Sequence, residues 1–149
     1  MLYYRRPKEL AMSVLILIGR ILFVVLFLAS AVGHITQAEG MAGYAQSKGV
    51  PAAKLAVLAS GVVQLIGGLS ILLGIWADLG ALLLLIFLVP TAVLMHPFWK
   101  ETDPQAKQTE MIQFNKDLAL AGAALMLFAF FAHVSDLGLT ITGPLFHLG

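Results

Sequence analysis

Four long apolar blocks constrain this 149-residue chain more than any other feature. They run over Val14–Gly33, Leu55–Ile75, Leu79–Met95 and Leu118–Ala132, and none of them contains Asp, Glu or Lys. About 20 helical residues are needed to cross a hydrocarbon core of ~30 Å. The shorter blocks must therefore include flanking residues, and we place the fourth span at about 114–132. The pattern predicts an all-α, polytopic membrane protein with four transmembrane helices.

Composition supports this class of protein and narrows its partners. Charged residues make up 11% of the chain, against about 25% in soluble domains. The nine Lys and Arg residues are scattered among eight acids, so no basic surface for nucleic acid is expected, and membrane lipids are the expected surroundings. The absence of cysteine excludes disulfides, thiolate catalysis and iron–sulfur clusters. Because every link is short, we predict a single domain over residues 1–149.

The links predict an antiparallel bundle with one additional short helix. In the first link, His34–Lys54, the spacing of Met41 and Tyr44 predicts a short helix lying in the membrane interface. Pro51 is suited to the first turn of the second span. The second link is a tight turn over residues 76–78, and Trp76 is an expected interfacial anchor.

The third link, His96–Asn115, is the most polar segment, and Pro97 and Pro104 are expected to break regular helix there. The tail, His133–Gly149, is too short and too rich in Gly and Pro to cross the membrane again. Four spans place both termini on one side of the membrane.

The positive-inside rule gives conflicting evidence about which side that is. The terminal side carries Arg5, Arg6 and Lys8, whereas the links on the opposite side carry Lys48, Lys54, Lys100, Lys107 and Lys116. The larger count favours cytoplasmic links. Charges just before the first span often dominate, and on that ground we predict cytoplasmic termini.

Arg20 is the main candidate functional residue, because a charge at membrane depth is costly and tends to face a bundle interior or a cavity. It shares one helix face with Phe27 and His34. The guanidinium could bind a quinone carbonyl, a phosphate or a carboxylate of another subunit. Alternatively, it extends to lipid phosphate or to Asp78.

The second span carries a stripe of small residues with one amide in its middle: Ala56, Ser60, Gln64 and Gly68. Such stripes let helices approach closely, and Gln64 could hydrogen-bond to a neighbouring helix or to a ligand. Pro90 in the third span permits a kink, which could border a cavity or simply be filled by side chains.

Two histidines, His34 and His96, end the first and third spans and so lie at the same membrane face. Axial haem ligands come from such neighbouring helices. Both residues, however, lie at the interface rather than in the apolar core, and we do not expect haem or a metal. No catalytic residue is assigned.

The chain resembles the DoxX family of small four-span bacterial membrane proteins over about residues 14–136. The resemblance rests on the order of Arg20, a Gly-Val-Pro sequence before the second span, Gly67-Gly68, and then two more specific segments, His96-Pro97-Phe98-Trp99 and Gln113-Phe114-Asn115-Lys116-Asp117-Leu118-Ala119. It implies a protein of the bacterial inner membrane. Members of the wider group are associated with quinone-linked oxidation and with membrane oxidoreductase complexes.

The resemblance also implies candidate cofactor-binding positions, for a quinone or a lipid headgroup: Arg20, Gln64, His96, Trp99, Asn115 and Lys116. Two of them depart from the family pattern. The family commonly has an acidic residue where this chain has Gln64, and it commonly opens the last span with Lys-Asn rather than Asn115-Lys116. An amide is neutral at every relevant pH and can only hydrogen-bond, so Gln64 is not expected to relay protons.

Three functions are compatible with these features. The chain could be a non-catalytic subunit that anchors a larger membrane oxidoreductase through other subunits or self-association. It could instead form a quinone site, in which Arg20 and Gln64 donate to the carbonyls while Trp99 or Phe98 stacks on the ring. The third possibility is a free-standing protein that handles lipids or small solutes, with a cavity near Pro90.

Overall fold

The computed structural model describes residues 7–148 and confirms the all-α class. Four helices are long and apolar enough to cross a membrane, and a short helix follows the first of them, as predicted. Arg5 and Arg6, which entered the prediction of orientation, lie outside the described residues. The helices are α1 (Pro7–Thr36), α2 (Ala38–Ser47), α3 (Ala53–Leu73), α4 (Ala77–Met95) and α5 (Pro104–His133), with a 3-10 turn at Phe98–Lys100.

Packing within the bundle follows the series α1, α3, α4, α5, and the short α2 lies mainly against α3. Glycines permit the close approaches. A Cβ added at Gly67 would lie 2.9 Å from Leu84 Cδ2, and one added at Gly68 would lie 2.8 Å from Leu28 Cδ2. Gly67 and Gly68 therefore pack α3 against the chain's own helices. Ala56 and Ser60, at the other end of the predicted stripe, are only half-buried.

The outward faces of the long helices are strongly apolar. Leu22, Leu55 and Met126 are each about 70% exposed, as expected for side chains whose solvent is lipid. At 1.5 Å per residue the 30-residue helices α1 and α5 are about 45 Å long, so both extend beyond the hydrocarbon core.

The structure corrects the predicted break at Pro104. This proline is the first residue of α5, and Asp103 caps the helix by accepting a hydrogen bond from the Ala106 amide at 2.8 Å. Proline is tolerated in the first helical turn because its missing N–H has no intrahelical acceptor there. The fourth helix therefore begins ten residues before the predicted span, and the polar residues of the third link lie partly on it.

The other two links differ from prediction by one or two residues. Pro51 precedes α3, which begins at Ala53. The turn between α3 and α4 comprises Gly74, Ile75 and Trp76, and α4 already begins at Ala77. Gly74 has φ +64°, and a Cβ there would lie 2.6 Å from Thr140 Cβ, so this turn and the tail approach each other closely.

The tail closes one end of the bundle. It contains no regular helix between 134 and 148, yet its backbone is hydrogen-bonded to the turn after α3: the Ile141 and Thr142 amides donate to the Gly74 carbonyl. The buried Asp78 carboxylate accepts from the Leu145 amide at 3.0 Å and the Phe146 amide at 2.6 Å. Asp78 thus holds the tail in place.

Arg20 lies at this same end and is 3% exposed. Its guanidinium donates from Nε to the Ile71 carbonyl at 2.7 Å, from Nη1 to the Leu139 carbonyl at 2.9 Å, and from Nη2 to the Leu72 carbonyl. The structure therefore places it on neither lipid phosphate nor Asp78. Arg20 caps the carboxyl end of α3, where backbone carbonyls lack intrahelical donors.

Candidate functional site

The opposite end of the bundle holds a cavity of about 470 Å³. It lies where α1 and α4 end, beside the first half of α3 and the middle of α5, and α2 contributes to its outer side. Its walls are largely apolar, including Phe27, Phe87 and Leu88, with Met41 and Met95 toward the membrane surface. A mostly apolar concavity with a few polar groups is typical of a small-molecule site.

Gln64 is the least exposed polar residue that lines this cavity, at 1%. Its Nε2 atom is buried and has no hydrogen-bond partner among the described residues. A buried donor without an acceptor costs about 1–3 kcal/mol, and native structures contain few such groups. Because Gln64 also lines the cavity, its amide is the candidate hydrogen-bonding group for an occupant.

His34 lines the cavity from the last turn of α1. Its Nδ1 atom lies 2.8 Å from the Ser30 carbonyl oxygen, and a carbonyl can only accept, so Nδ1 carries the proton. In the neutral ring Nε2 is then an acceptor. The ring lies where α1 and α3 approach closely, because a Cβ at Gly61 would lie 2.8 Å from His34 Cβ.

His96 connects the cavity to a cluster of charged groups. Its Nδ1 lies 2.7 Å from Glu110 Oε2, and its Nε2 lies 3.7 Å from Asp117 Oδ2. Asp117 is 5% exposed and also lies 3.4 Å from Lys116 Nζ. The acidic groups at this end thus face cationic or protonatable partners, so no strong excess of one charge surrounds the cavity.

Lys48 completes the cluster from the link after α2. Its ammonium group donates to Glu110 at 2.9 Å and to Glu101 at 3.2 Å, and Tyr44 OH donates to the same Glu110 oxygen at 3.2 Å. The hydrogen bond to Glu110 raises the pKa of Lys48 above its ordinary value. Lys48 therefore stays charged and ties the short helix to α5 and the preceding link, across the outer side of the cavity.

Three of the six predicted site residues line this cavity: Gln64, His96 and Lys116. Arg20 does not line it, because this residue lies at the opposite end of the bundle, where the C-terminal tail packs. Trp99 is half-exposed and packs edge-on against Phe98 and Phe114, at centroid distances of 5.2 and 5.8 Å. Asn115 is exposed. The structure thus divides the predicted set between the two ends and the surface of the bundle.

Sequence reasoning missed Asp117 as a candidate. The signal was present, since an acid directly before the fourth apolar block is expected to be paired or functional. His34 was considered only as a haem or metal ligand. Thr91 lines the cavity, and its hydroxyl donates to the Phe87 carbonyl at 2.8 Å.

Four long apolar helices around an amphipathic cavity define a four-span helical membrane protein. Comparison with known proteins gives the particular family. The DoxX family profile matches residues 15–97, which include the first three spans, and the chain belongs to this family. The chain is also similar to the inner membrane protein YphA of Escherichia coli (strain K12), with 32% identity over 117 residues. That alignment covers 78% of this chain and 83% of YphA. No solved structure is significantly similar to the chain.

Proposed function

We propose that this integral membrane protein binds a quinone in the cavity beneath α2. The observation that carries the proposal is the buried, unpartnered Nε2 of Gln64. A quinone carbonyl is an acceptor that could satisfy this donor without bringing a charge into the membrane. The gain in binding free energy is large for one hydrogen bond, because the bond also removes the cost of leaving a buried donor unpaired in the ligand-free protein.

The remaining walls support a flat, neutral headgroup rather than a charged one. Phe27 and Phe87 supply aromatic surface on the two sides of the cavity contributed by α1 and α4. Lys116 lies close to Asp117, and Lys48 to Glu110, so the cations nearby already have counter-ions. A free anion or cation would have to compete with these pairs, whereas a quinone would not.

The proposed site and the quinone site predicted from the sequence differ in which residues donate hydrogen bonds to the quinone. Arg20 was expected to act together with Gln64, but its guanidinium is bonded to carbonyls at the tail end. Trp99 and Asn115 likewise lie outside the cavity lining. In the present proposal Gln64 is the binding residue, and Arg20 has a structural role.

Location in the bacterial inner membrane is part of the proposal, and the similarity to the inner membrane protein YphA supports it. Cytoplasmic termini and association with other membrane subunits stay predictions. The stripe of small residues gives no specific support to subunit association, because Gly68 is already packed against α1 and Gln64 is buried within the bundle.

The decisive experiment measures binding of decylubiquinone to the purified full-length protein in detergent micelles. Changing Gln64 to Leu removes the donor while keeping a side chain of similar volume, and we expect affinity to fall about tenfold through the loss of a hydrogen bond worth ~1.4 kcal/mol. Gln108→Leu is the matched control, since Gln108 is exposed on α5. Equal affinities in both variants and the wild type would reject the proposal.

A further inference from the structure

A second, apolar groove adjoins the cavity at the same end of the molecule. It lies between α3 and α4, has a volume of about 330 Å³, and is called the α3–α4 groove here. Five residues line both spaces: His34, Val57, Phe87, Thr91 and Met95. The groove therefore adjoins the candidate site, and these five residues lie between the two spaces.

The two walls of the groove explain why it exists. The α3 wall is built from Ala56, Ala59 and Ser60, whose side chains are too small to fill the space between the helices. On the α4 wall lies Pro90, which cannot donate the hydrogen bond that would normally reach the Ile86 carbonyl. Below this level the helices close again, where Gly67 packs against Gly80 and Leu84.

The groove opens toward lipid and suits an apolar occupant. Ala59 and Pro90 are exposed, and Ile86 is 60% exposed on the outward face of α4. Among residues 7–148, no Asp, Glu, Lys or Arg lines the groove, and His34 is the one titratable residue that does. A hydrocarbon chain can therefore lie there without leaving an apolar environment.

We propose that the α3–α4 groove holds the hydrocarbon tail of the same molecule whose headgroup lies against Gln64. This inference rests on the proposed function and specifies its ligand: a quinone with a long alkyl or isoprenoid tail that enters sideways from the bilayer. The shared position of Phe87 and Thr91 in the walls of both spaces supports this occupant over a free lipid, because a hydrocarbon chain attached to a headgroup in the cavity would begin beside these residues.

Affinity alone would be a poor test of this proposal. Lipid chains are as apolar as the groove, so transfer of a tail from the bilayer supplies little driving force. The informative quantity is the position of the quinone's hydrocarbon tail on the protein. We therefore choose photo-crosslinking of the full-length protein in lipid nanodiscs, using a benzoquinone with a ten-carbon tail that ends in a diazirine.

We expect labelled peptides from residues 56–63 and 86–94, and loss of that label when excess decylubiquinone is present. Gln64→Leu should likewise lose the competable label. Ala59→Phe, which places a ring at the groove wall, should lose the label on residues 86–94. Val62→Phe is its matched control, since Val62 is 48% exposed on the same helix and outside the groove lining, and it should keep the label.

The contrary outcomes separate the two proposals. Label on residues 22–26 and 118–126 that excess decylubiquinone removes would place the hydrocarbon tail between α1 and α5. This result would overturn the inference about the groove and leave the quinone site intact. Label that excess decylubiquinone does not reduce, and that a diazirine-bearing alcohol without a quinone reproduces, would overturn both, because the tail would then report ordinary lipid contact.

Discussion

The two ends of the bundle use buried polar side chains in opposite ways. At the tail end, Arg20 and Asp78 are at most 3% exposed, and both are hydrogen-bonded to backbone groups of the tail, Arg20 also to carbonyls at the end of α3. At the cavity end, Gln64 is buried to the same degree, but its amide nitrogen has no partner among residues 7–148. Burial of a polar group therefore does not by itself distinguish a structural site from a binding site in this molecule.

The difference lies in what each group contacts. A charge buried at membrane depth must be satisfied within the protein, and the irregular tail supplies the carbonyl and amide groups that do so. A buried neutral amide without a partner costs less free energy than a buried unpaired charge, so it can remain unpaired until a ligand binds. The three substitutions below test this contrast, from the largest expected effect to the smallest.

Arg20→Ala should cause the largest loss of stability. It removes this donor from the carbonyls of Ile71, Leu72 and Leu139. The Ile71 carbonyl keeps the Gly74 amide as a donor, whereas each buried acceptor left unpaired costs about 1–3 kcal/mol. We expect a total of at least about 3 kcal/mol, measured by unfolding in mixed micelles. Arg20→Lys should recover part of it, because an ammonium keeps the charge but not the planar arrangement of donors.

The protein that remains folded after Arg20→Ala should bind decylubiquinone with unchanged affinity. If Arg20→Ala instead left the free energy of unfolding unchanged and weakened decylubiquinone binding, Arg20 would be the ligand-binding residue and the tail end would be the binding end.

Asp78→Ala should release the tail. Two amide donors, of Leu145 and Phe146, lose a carboxylate acceptor, which we expect to cost about 2 kcal/mol. Limited proteolysis followed by mass spectrometry should show faster cleavage within residues 134–148. Asp103→Ala is the control, since Asp103 caps α5 at the cavity end. A tail that is equally resistant in both variants would contradict the role of Asp78.

Gln64→Leu should have the smallest effect on stability and the opposite sign. Replacing an unpaired buried amide by an apolar side chain of similar size removes its desolvation penalty, so the ligand-free protein should gain about 1 kcal/mol. Gln108→Leu, on the exposed surface of α5, should leave the free energy of unfolding unchanged. Destabilisation by Gln64→Leu would mean that Nε2 does have a partner in the folded protein.

The main elements of the fold could be predicted because they depend on local sequence. Apolar length indicated four membrane helices, and the spacing of Met41 and Tyr44 indicated α2. The alternating direction of the spans also placed His34 and His96 at one face, where they now line one cavity. Pro104 was misread because proline has the same local signature at the start of a helix as at a break within one.

The roles of the polar residues could not be predicted in this way. Arg20 binds a carbonyl 119 residues away, in a tail without regular structure. Whether Gln64 packs or binds depends on the distance between helices at its level, which the small residues on α3 permit but do not specify. Asp117 is adjacent in sequence to candidate residues, yet its place beside His96 results from the packing of α4 against α5.

The amino-acid sequence by itself determined that this is a four-span, all-α membrane protein, because the cost of placing polar backbone and charge in lipid acts on each segment separately. Only the tertiary structure decided which buried polar groups are already satisfied and which remain available. That distinction depends on contacts between segments far apart in the chain, and hydrogen bonds form or fail over distances of a few tenths of an ångström.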